Sequence, residues 1–276
     1  MSIADSQMTA FQETVWDYFR SHERPMPWRE NPSPYYVLVS ELMLQQTQVP
    51  RVIPKFHEFM LRFPTILELG KAPLSEVLKT WNGLGYNRRA KFLWDAARMV
   101  EAQFDGKIPD TYEDLVTLPG VGPNTAGAIL AYAYNQPTVF IETNIRTVYF
   151  HHFFMNQEAV SDQELRDVVQ ETLDREQPRE WYWALMDYGS YLKQTAGGRL
   201  NQSKHYKKQP PLAGSLREMR GMIIRALSHN SISDEQLRSR TIADHRYDVA
   251  LRALVDEGLI ENKNGKWSLT AGDDTR

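Results

Sequence analysis

Over most of its first 190 residues the chain is interrupted at short intervals by proline or glycine, and between the interruptions apolar residues recur at helical rather than alternating spacing. That pattern confines the body to packed helices. The spacing predicts helices at about 8–21, 35–48, 50–62, 73–80, 87–104, 111–117, 123–134, 142–154, 161–173 and 179–192. Two starts carry recognisable chemistry: Ser161 with Glu164 has the capping-box pattern, and Pro123 suits a first helical turn, where its missing N–H costs nothing.

From about Thr195 to Ser215 the chain is rich in Gly, Pro, Ser and Lys and reads as a linker or extended arm. Beyond it, helices are predicted at 215–229, 233–239 and 244–257, followed by a hairpin turning at Asn264-Gly265. Three helices closed by a two-stranded hairpin suggest a winged-helix-like unit. Its third helix would either present His245, Arg246 and Arg252 to a DNA groove or belong to a unit that packs on the body or contacts protein. The expected architecture is all-α: a body over 1–192, a basic arm over 193–214, and a small winged-helix-like domain with a β-hairpin over 215–276.

Hydrophobic residues make up 42% of the chain and charged residues 24%, an ordinary globular composition. No apolar run approaches the roughly 20 residues that span a bilayer, and the first residues lack a basic stretch followed by an apolar one, so a cytosolic or nucleoid-associated monomer is expected. There is no cysteine. That excludes disulfides, thiolate zinc sites, iron–sulfur clusters and a cysteine nucleophile together. His57, His151 and His152 show no ligand spacing with carboxylates, so no metal site is expected. The net charge of −3 conceals an asymmetry: 193–225 holds eight Lys or Arg against Glu218 alone, while 158–187 holds nine acids against three Arg. The basic run, with His205 and Tyr206 interleaved, reads either as a phosphate-binding surface or as plain solubility.

The segment LPGVGPNTAG, 118–127, sets two glycines before a helix of small and apolar residues. Both glycines are expected to adopt angles that side chains forbid, leaving a bare helix start. Its N–H groups and positive dipole end could approach a phosphate, and the carbonyls of Val116, Leu118 and Val121 could hold a sodium or potassium ion. A plain interhelical turn is the alternative.

The segments RPMPWRENPSPYYVLVSELMLQQTQVPRVIPKF, FPTILELGKAPLSEVLKTWNGLGYNRRAKFL and LPGVGPNTAGAIL resemble the helix-hairpin-helix glycosylase superfamily of endonuclease III, most closely the adenine glycosylases of the MutY type. The resemblance covers roughly residues 10–192. It implies a two-lobed DNA repair enzyme that flips a mispaired or damaged base from double-stranded DNA and hydrolyses its N-glycosidic bond. Glu41, in VLVSELMLQQ, matches the general acid, and its alignment with Val37 and Leu44 would desolvate it; an exposed Glu at a helix edge is the alternative. Glu142, in FIETNIRTV, matches the carboxylate that stabilises positive charge at the sugar, with Asn144 orienting it. The alternative for Glu142 is an electrostatic cap on the helix that follows.

Asn124 matches the lysine that makes bifunctional relatives cut the strand, and an amide cannot form that Schiff base. The resemblance further places Arg29 near the extruded base and Trp28 in the pocket wall, with ordinary packing and a surface salt bridge as the alternative for both, Gln46 and Gln48 in the gap left by the base, and Tyr86 as a wedge in the duplex. Arg88, Arg89 and Lys91 suit phosphates, with a solvated helix face as the alternative, and Gly120 and Gly122 suit them through their backbone. Trp81, Trp94, Trp181 and Trp183 are assigned to the core.

Three departures accompany the likeness. The superfamily usually carries Asp, not Glu, at position 142. Four cysteines of an iron–sulfur cluster usually follow the segment Met186-Asp187-Tyr188-Gly189, and none is present; Lys204, Lys207 and Lys208 are expected to take over that loop's phosphate contacts. Nothing after Ser215 resembles the domain that reads 8-oxoguanine opposite adenine. Against these departures, the activity that the resemblance implies is monofunctional removal of adenine opposite 8-oxoguanine or guanine. Removal of thymine, uracil or a damaged purine, and a non-catalytic DNA-binding role, are the alternatives.

Overall fold

The computed structural model describes residues 3–197, 202–203 and 211–272. In chain order the helices of the body are α1 Asp5–His22, α2 Pro27–Glu30, α3 Pro34–Leu44, α4 Val49–Arg62, α5 Ile66–Lys71, α6 Leu74–Trp81, α7 Arg88–Gln103, α8 Tyr112–Leu115, α9 Pro123–Tyr134, α10 Thr143–His152, α11 Asp162–Thr172 and α12 Pro178–Thr195. After them come α13 Leu216–Leu227, β1 Ile232–Ser233, α14 Asp234–Thr241, α15 Tyr247–Asp256, β2 Ile260–Lys263 and β3 Lys266–Leu269. The fold is helical with one small sheet, as its sequence predicts. Two helices escape the periodicity: α2 is a single turn, and α5 spans six residues, too few to show a repeat. Among the described residues no helix is long and apolar enough to cross a membrane.

Two compact units divide the chain. One comprises Met1–Leu38, Asp110–Val116 and Val121–Lys208; the other comprises Val39–Pro109, Thr117–Gly120 and Gln209–Arg276.

In the first unit α12 is the central helix, packed against α1, α9 and α10. Aromatic side chains fill the space between them: Phe11 meets Trp181 edge-on at 5.8 Å, and Phe140 lies 4.2 Å from Tyr182. Gly189 lets α12 press directly on α10, since a Cβ there would sit 2.3 Å from the Asn144 carbonyl oxygen. Ser161 and Glu164 form the predicted capping box at the head of α11. Trp81, Trp94 and Trp181 are buried as expected, but Trp183 is only half-buried, with the Arg29 guanidinium 5.4 Å from its ring.

In the second unit α7 packs on α5 and α6, and α13 on α14 and α15. The sheet order is β1-β3-β2, all antiparallel, with Ile232 opposite Trp267 and Ile260 opposite Leu269. Its hairpin turns at Asn264 and Gly265, both at positive φ, as the Asn-Gly pair predicts. Beyond β3, Ala271 accepts a 2.7 Å hydrogen bond from the Leu74 amide, and Gly272 lies against the Trp94 ring, where a Cβ would come within 2.6 Å. The wing is thus bonded to α6 and α7.

Its third helix does not match the expected groove reader. His245 and Arg246 precede α15, and Arg246 is held by Asp244 at 2.6 Å and Glu218 at 2.8 Å. Arg252 is exposed on α15, but Asp248, Val249, Val255 and Asp256 are exposed there too, leaving a helix surface that is not basic.

Candidate functional site

At the turn between α8 and α9 the two glycines differ. Gly120 has φ 81°, and a Cβ on it would meet Phe92 at 2.8 Å, so packing and backbone both demand glycine. Gly122 is the N-cap of α9 with φ −88°, which any residue adopts, and a Cβ there would point into open space. This corrects the expectation that both need forbidden angles. Among the described residues none requires Gly122 to lack a side chain, whereas close approach of an external group to the helix start would. Pro123 occupies the first helical turn as predicted, and Gly122, Pro123 and Asn124 are exposed.

The extended segment leading from α9 to α10 is fixed at each successive residue. Tyr182 Oη donates to the Thr138 carbonyl at 2.7 Å, and Arg166 Nη1 to that of Val139 at 3.3 Å. Gly127 allows α9 to lie on Phe140, where a Cβ would clash at 2.7 Å. Asn124 then holds Ile141 from both sides of its peptide: its Nδ2 donates to the Ile141 carbonyl at 3.0 Å, and the Ile141 amide donates to its Oδ1 at 3.3 Å. Glu142 follows as the N-cap of α10, half-buried, and its side chain makes no capping hydrogen bond to the first turn. Asn144, half-buried in that turn, has its backbone against Gly189. A carboxylate is thereby presented from a main chain that has almost no freedom to shift.

Glu41 lies within α3, half-buried, between the buried Ser40 and Leu42. The helix ends at Leu44, earlier than predicted, because Arg89 closes its C-terminus: Nη1 donates to the carbonyls of Leu42 at 2.6 Å, Met43 at 2.8 Å and Gln45 at 2.7 Å. Arg89 is therefore buried, its pKa lowered to about 10 by that burial, and it is a cap rather than a phosphate contact. Gln46 and Gln48 are not at the end of the helix as expected. Gln46 is exposed in the turn with φ 58°, and Gln48 is the exposed N-cap of α4.

Lys91 pairs with Asp95 at 2.8 Å, while Arg88 is exposed with its guanidinium 4.9 Å from the Phe92 ring. Tyr86, half-buried, stands at the end of the Gly83-Leu84-Gly85 turn with φ 49°.

Arg29 takes the alternative of packing and an ion pair, although the pair is buried and not at the surface. It is buried on α2, with Nη1 donating to Asp187 Oδ2 at 2.8 Å and Nη2 to Oδ1 at 2.9 Å. Arg24 Nε donates to the same carboxylate at 2.7 Å. The Arg29 guanidinium donates to this carboxylate and to the carbonyls of Arg24 and Trp183, and so ties α2 to α12. Removing one partner of such a buried pair typically costs about 3–5 kcal/mol. Trp28 beside it is buried. Asp187 went unweighed in the sequence because a lone acid in an apolar helix gives no sign of which cation it meets. Lys204, Lys207 and Lys208 lie outside the described residues, and among those described no group of three or more His, Asp or Glu could hold a metal ion.

A short helix, a glycine turn, a helix with a bare start and a carboxylate heading the next helix define the helix-hairpin-helix class. A solved thermostable thymine-DNA glycosylase shares the fold, with a TM-score of 0.61 and 24% identity over 67% of this chain and 87% of that one. Residues 39–173 match the family described as the HhH-GPD superfamily base excision DNA repair protein. The adenine DNA glycosylase of Mycolicibacterium smegmatis is 30% identical over 91% of this chain and 93% of its own length. The chain belongs to the HhH-GPD superfamily of base excision DNA repair proteins. The adenine DNA glycosylase of Buchnera aphidicola subsp. Baizongia pistaciae is 33% identical over 66% of this chain, and the match spans 52% of that relative's length.

Proposed function

We propose that this chain is a monofunctional adenine DNA glycosylase that hydrolyses the N-glycosidic bond of an adenine turned out of double-stranded DNA, opposite 8-oxoguanine or guanine. The observation that carries the reading is the immobilised backbone before Glu142, downstream of a helix start where a Cβ at Gly122 would meet no described residue. Relatives named as adenine DNA glycosylases support it.

In this mechanism Glu41, protonated, gives its proton to a ring nitrogen of the adenine as the bond to C1′ breaks. Glu142 stabilises the cation left on the sugar. Water then adds its hydroxyl to C1′ and its proton returns to Glu41. Asn144 orients Glu142, and Asn124, having no amine, forms no Schiff base and leaves the strand intact. The N–H groups beyond Gly120 and Gly122 hold a phosphate, and the carbonyls of Val116, Leu118 and Val121 would hold a sodium or potassium ion, which would supply positive charge there. Tyr86 enters the base stack, Gln46 and Gln48 meet the partner base, Trp28 backs the pocket, and Arg88 with Lys204, Lys207 and Lys208 contacts phosphates.

Duplexes carrying A opposite 8-oxoguanine, A opposite G, T opposite G and U opposite G, each treated with and without alkali, test the proposal. Breaks are expected only in the two adenine duplexes and only after alkali. Glu41→Gln and Glu142→Gln should each lower turnover by about a thousandfold or more while duplex affinity stays within a few-fold. Breaks without alkali, or only in the T and U duplexes, would contradict the reading.

A further inference from the structure

A tyrosine with a left-handed backbone stays in place only if its surroundings hold it, and Tyr86 has such a backbone. Two guanidiniums lie against its ring, Arg89 at 5.3 Å and Arg217 at 5.2 Å, and Arg217 Nη1 also donates to the phenol oxygen. Arg89 is immobile because the carbonyls at the end of α3 hold it. Arg217 comes from elsewhere in the chain, the first turn of α13, and that turn is itself anchored. Ser215 caps it by accepting from the Glu218 amide, Glu218 pairs with Arg246 at 2.8 Å, and Arg246 Nη1 donates to the Ser215 carbonyl at 3.1 Å.

We infer that Arg217 is a positioning residue for Tyr86, so that the C-terminal segment completes the surface that meets the duplex. The inference rests on the proposed function, in which Tyr86 enters the base stack. Unstacking consumes free energy, and a phenol free to swivel about its two side-chain torsions would yield before the bases do. A guanidinium on the ring together with a charge-assisted hydrogen bond to its hydroxyl fixes both torsions. This gives α13 to α15 a role that does not require α15 to enter a groove, for which its exposed acids suit it poorly.

The test uses the full chain with Arg217→Ala, Arg217→Lys, Tyr86→Phe, and the combination of Arg217→Ala with Tyr86→Phe. The fluorescence of 2-aminopurine beside the mispaired adenine reports unstacking, and single-turnover rates on the same duplex report base removal. Arg217→Ala and Tyr86→Phe are each expected to lower the fluorescence rise and the rate by about tenfold, with the combination no worse than either alone. Arg217→Lys, which keeps the charge and loses the planar fork, should recover part of both. The melting temperature of Arg217→Ala should fall by no more than about 2 °C, so that the loss in rate is not a loss of fold.

Additive effects, a larger fluorescence rise in Arg217→Ala, or a wild-type response in Arg217→Ala where Tyr86→Ala loses it, would each overturn the inference. Should Arg217→Ala fold poorly, Tyr86→Phe deletes only the hydroxyl and decides alone. Unstacking by the wild type with no product from any duplex would refute the glycosylase reading and leave the fluorescence to judge Arg217. Product without unstacking would refute the wedge and this inference together.

Discussion

At the residue scale, Asn124 is the side chain that fixes the peptide before Glu142. Its amide takes the place of a neighbouring strand for Ile141, accepting from the amide and donating to the carbonyl of the residue before Glu142. Asn124→Ala removes both bonds, a loss of about 1–3 kcal/mol in stability. Because the displaced backbone carries the carboxylate, kcat should fall by roughly 10- to 100-fold with little change in KM. Steady-state kinetics on the preferred duplex, beside a urea titration, check this; an equal loss in stability with kcat untouched would make Asn124 a framework residue only. Serine, too short to span both groups of the peptide, should rescue little.

At the scale of elements, α10 is gripped by α12 through Gly189 and ends in a half-buried histidine. His152 Nε2 lies 3.0 Å from the Tyr188 hydroxyl, and its ring is 5.1 Å from Phe11. Burial, with His151 beside it, lowers its pKa from 6.5 to about 4. The folded state therefore binds this proton less readily than the unfolded chain. The neutral ring contributes stability that is fully present above pH 6.5 and is lost as pH falls from 6.5 towards about 4. His152→Phe retains a ring and removes the proton. The difference between wild type and variant in urea midpoints at pH 7.5 and pH 4.5 should accordingly change by up to about 2–3 kcal/mol once multiplied by the m-value. A difference that does not vary with pH would show that the ring is not held neutral.

For the whole molecule, the C-terminal segment is the main departure from a chain of independent parts. Leu74 is bonded to Ala271, Trp94 is covered by Gly272, and Tyr86 is held by Arg217. Removing 215–276 should therefore lower the melting temperature of the remainder by at least about 5 °C and make its melt less cooperative. Calorimetry of the shortened chain decides; an unchanged melting temperature would make the segment an appended domain. Before it, Gln202 is bonded to the segment ahead of α11: the Val160 amide donates to its carbonyl at 3.0 Å, and its Nε2 donates to the Phe154 and Gln157 carbonyls.

Local chemistry made much of this legible without coordinates. Proline and glycine punctuation set the helices, with α9 recovered at both ends, the Ser161–Glu164 box marked the start of α11, and Asn264-Gly265 marked the hairpin. Those signals work because caps, turns and periodicity depend on residues a few positions apart. Residues that meet across long stretches of chain leave no such trace. Nothing near Arg29 announces Asp187, nothing near Arg89 announces the end of α3, and nothing near Tyr86 announces Arg217. Their roles were decided by packing, because an arginine in a buried site must find oxygens to replace its water, wherever in the chain those oxygens lie.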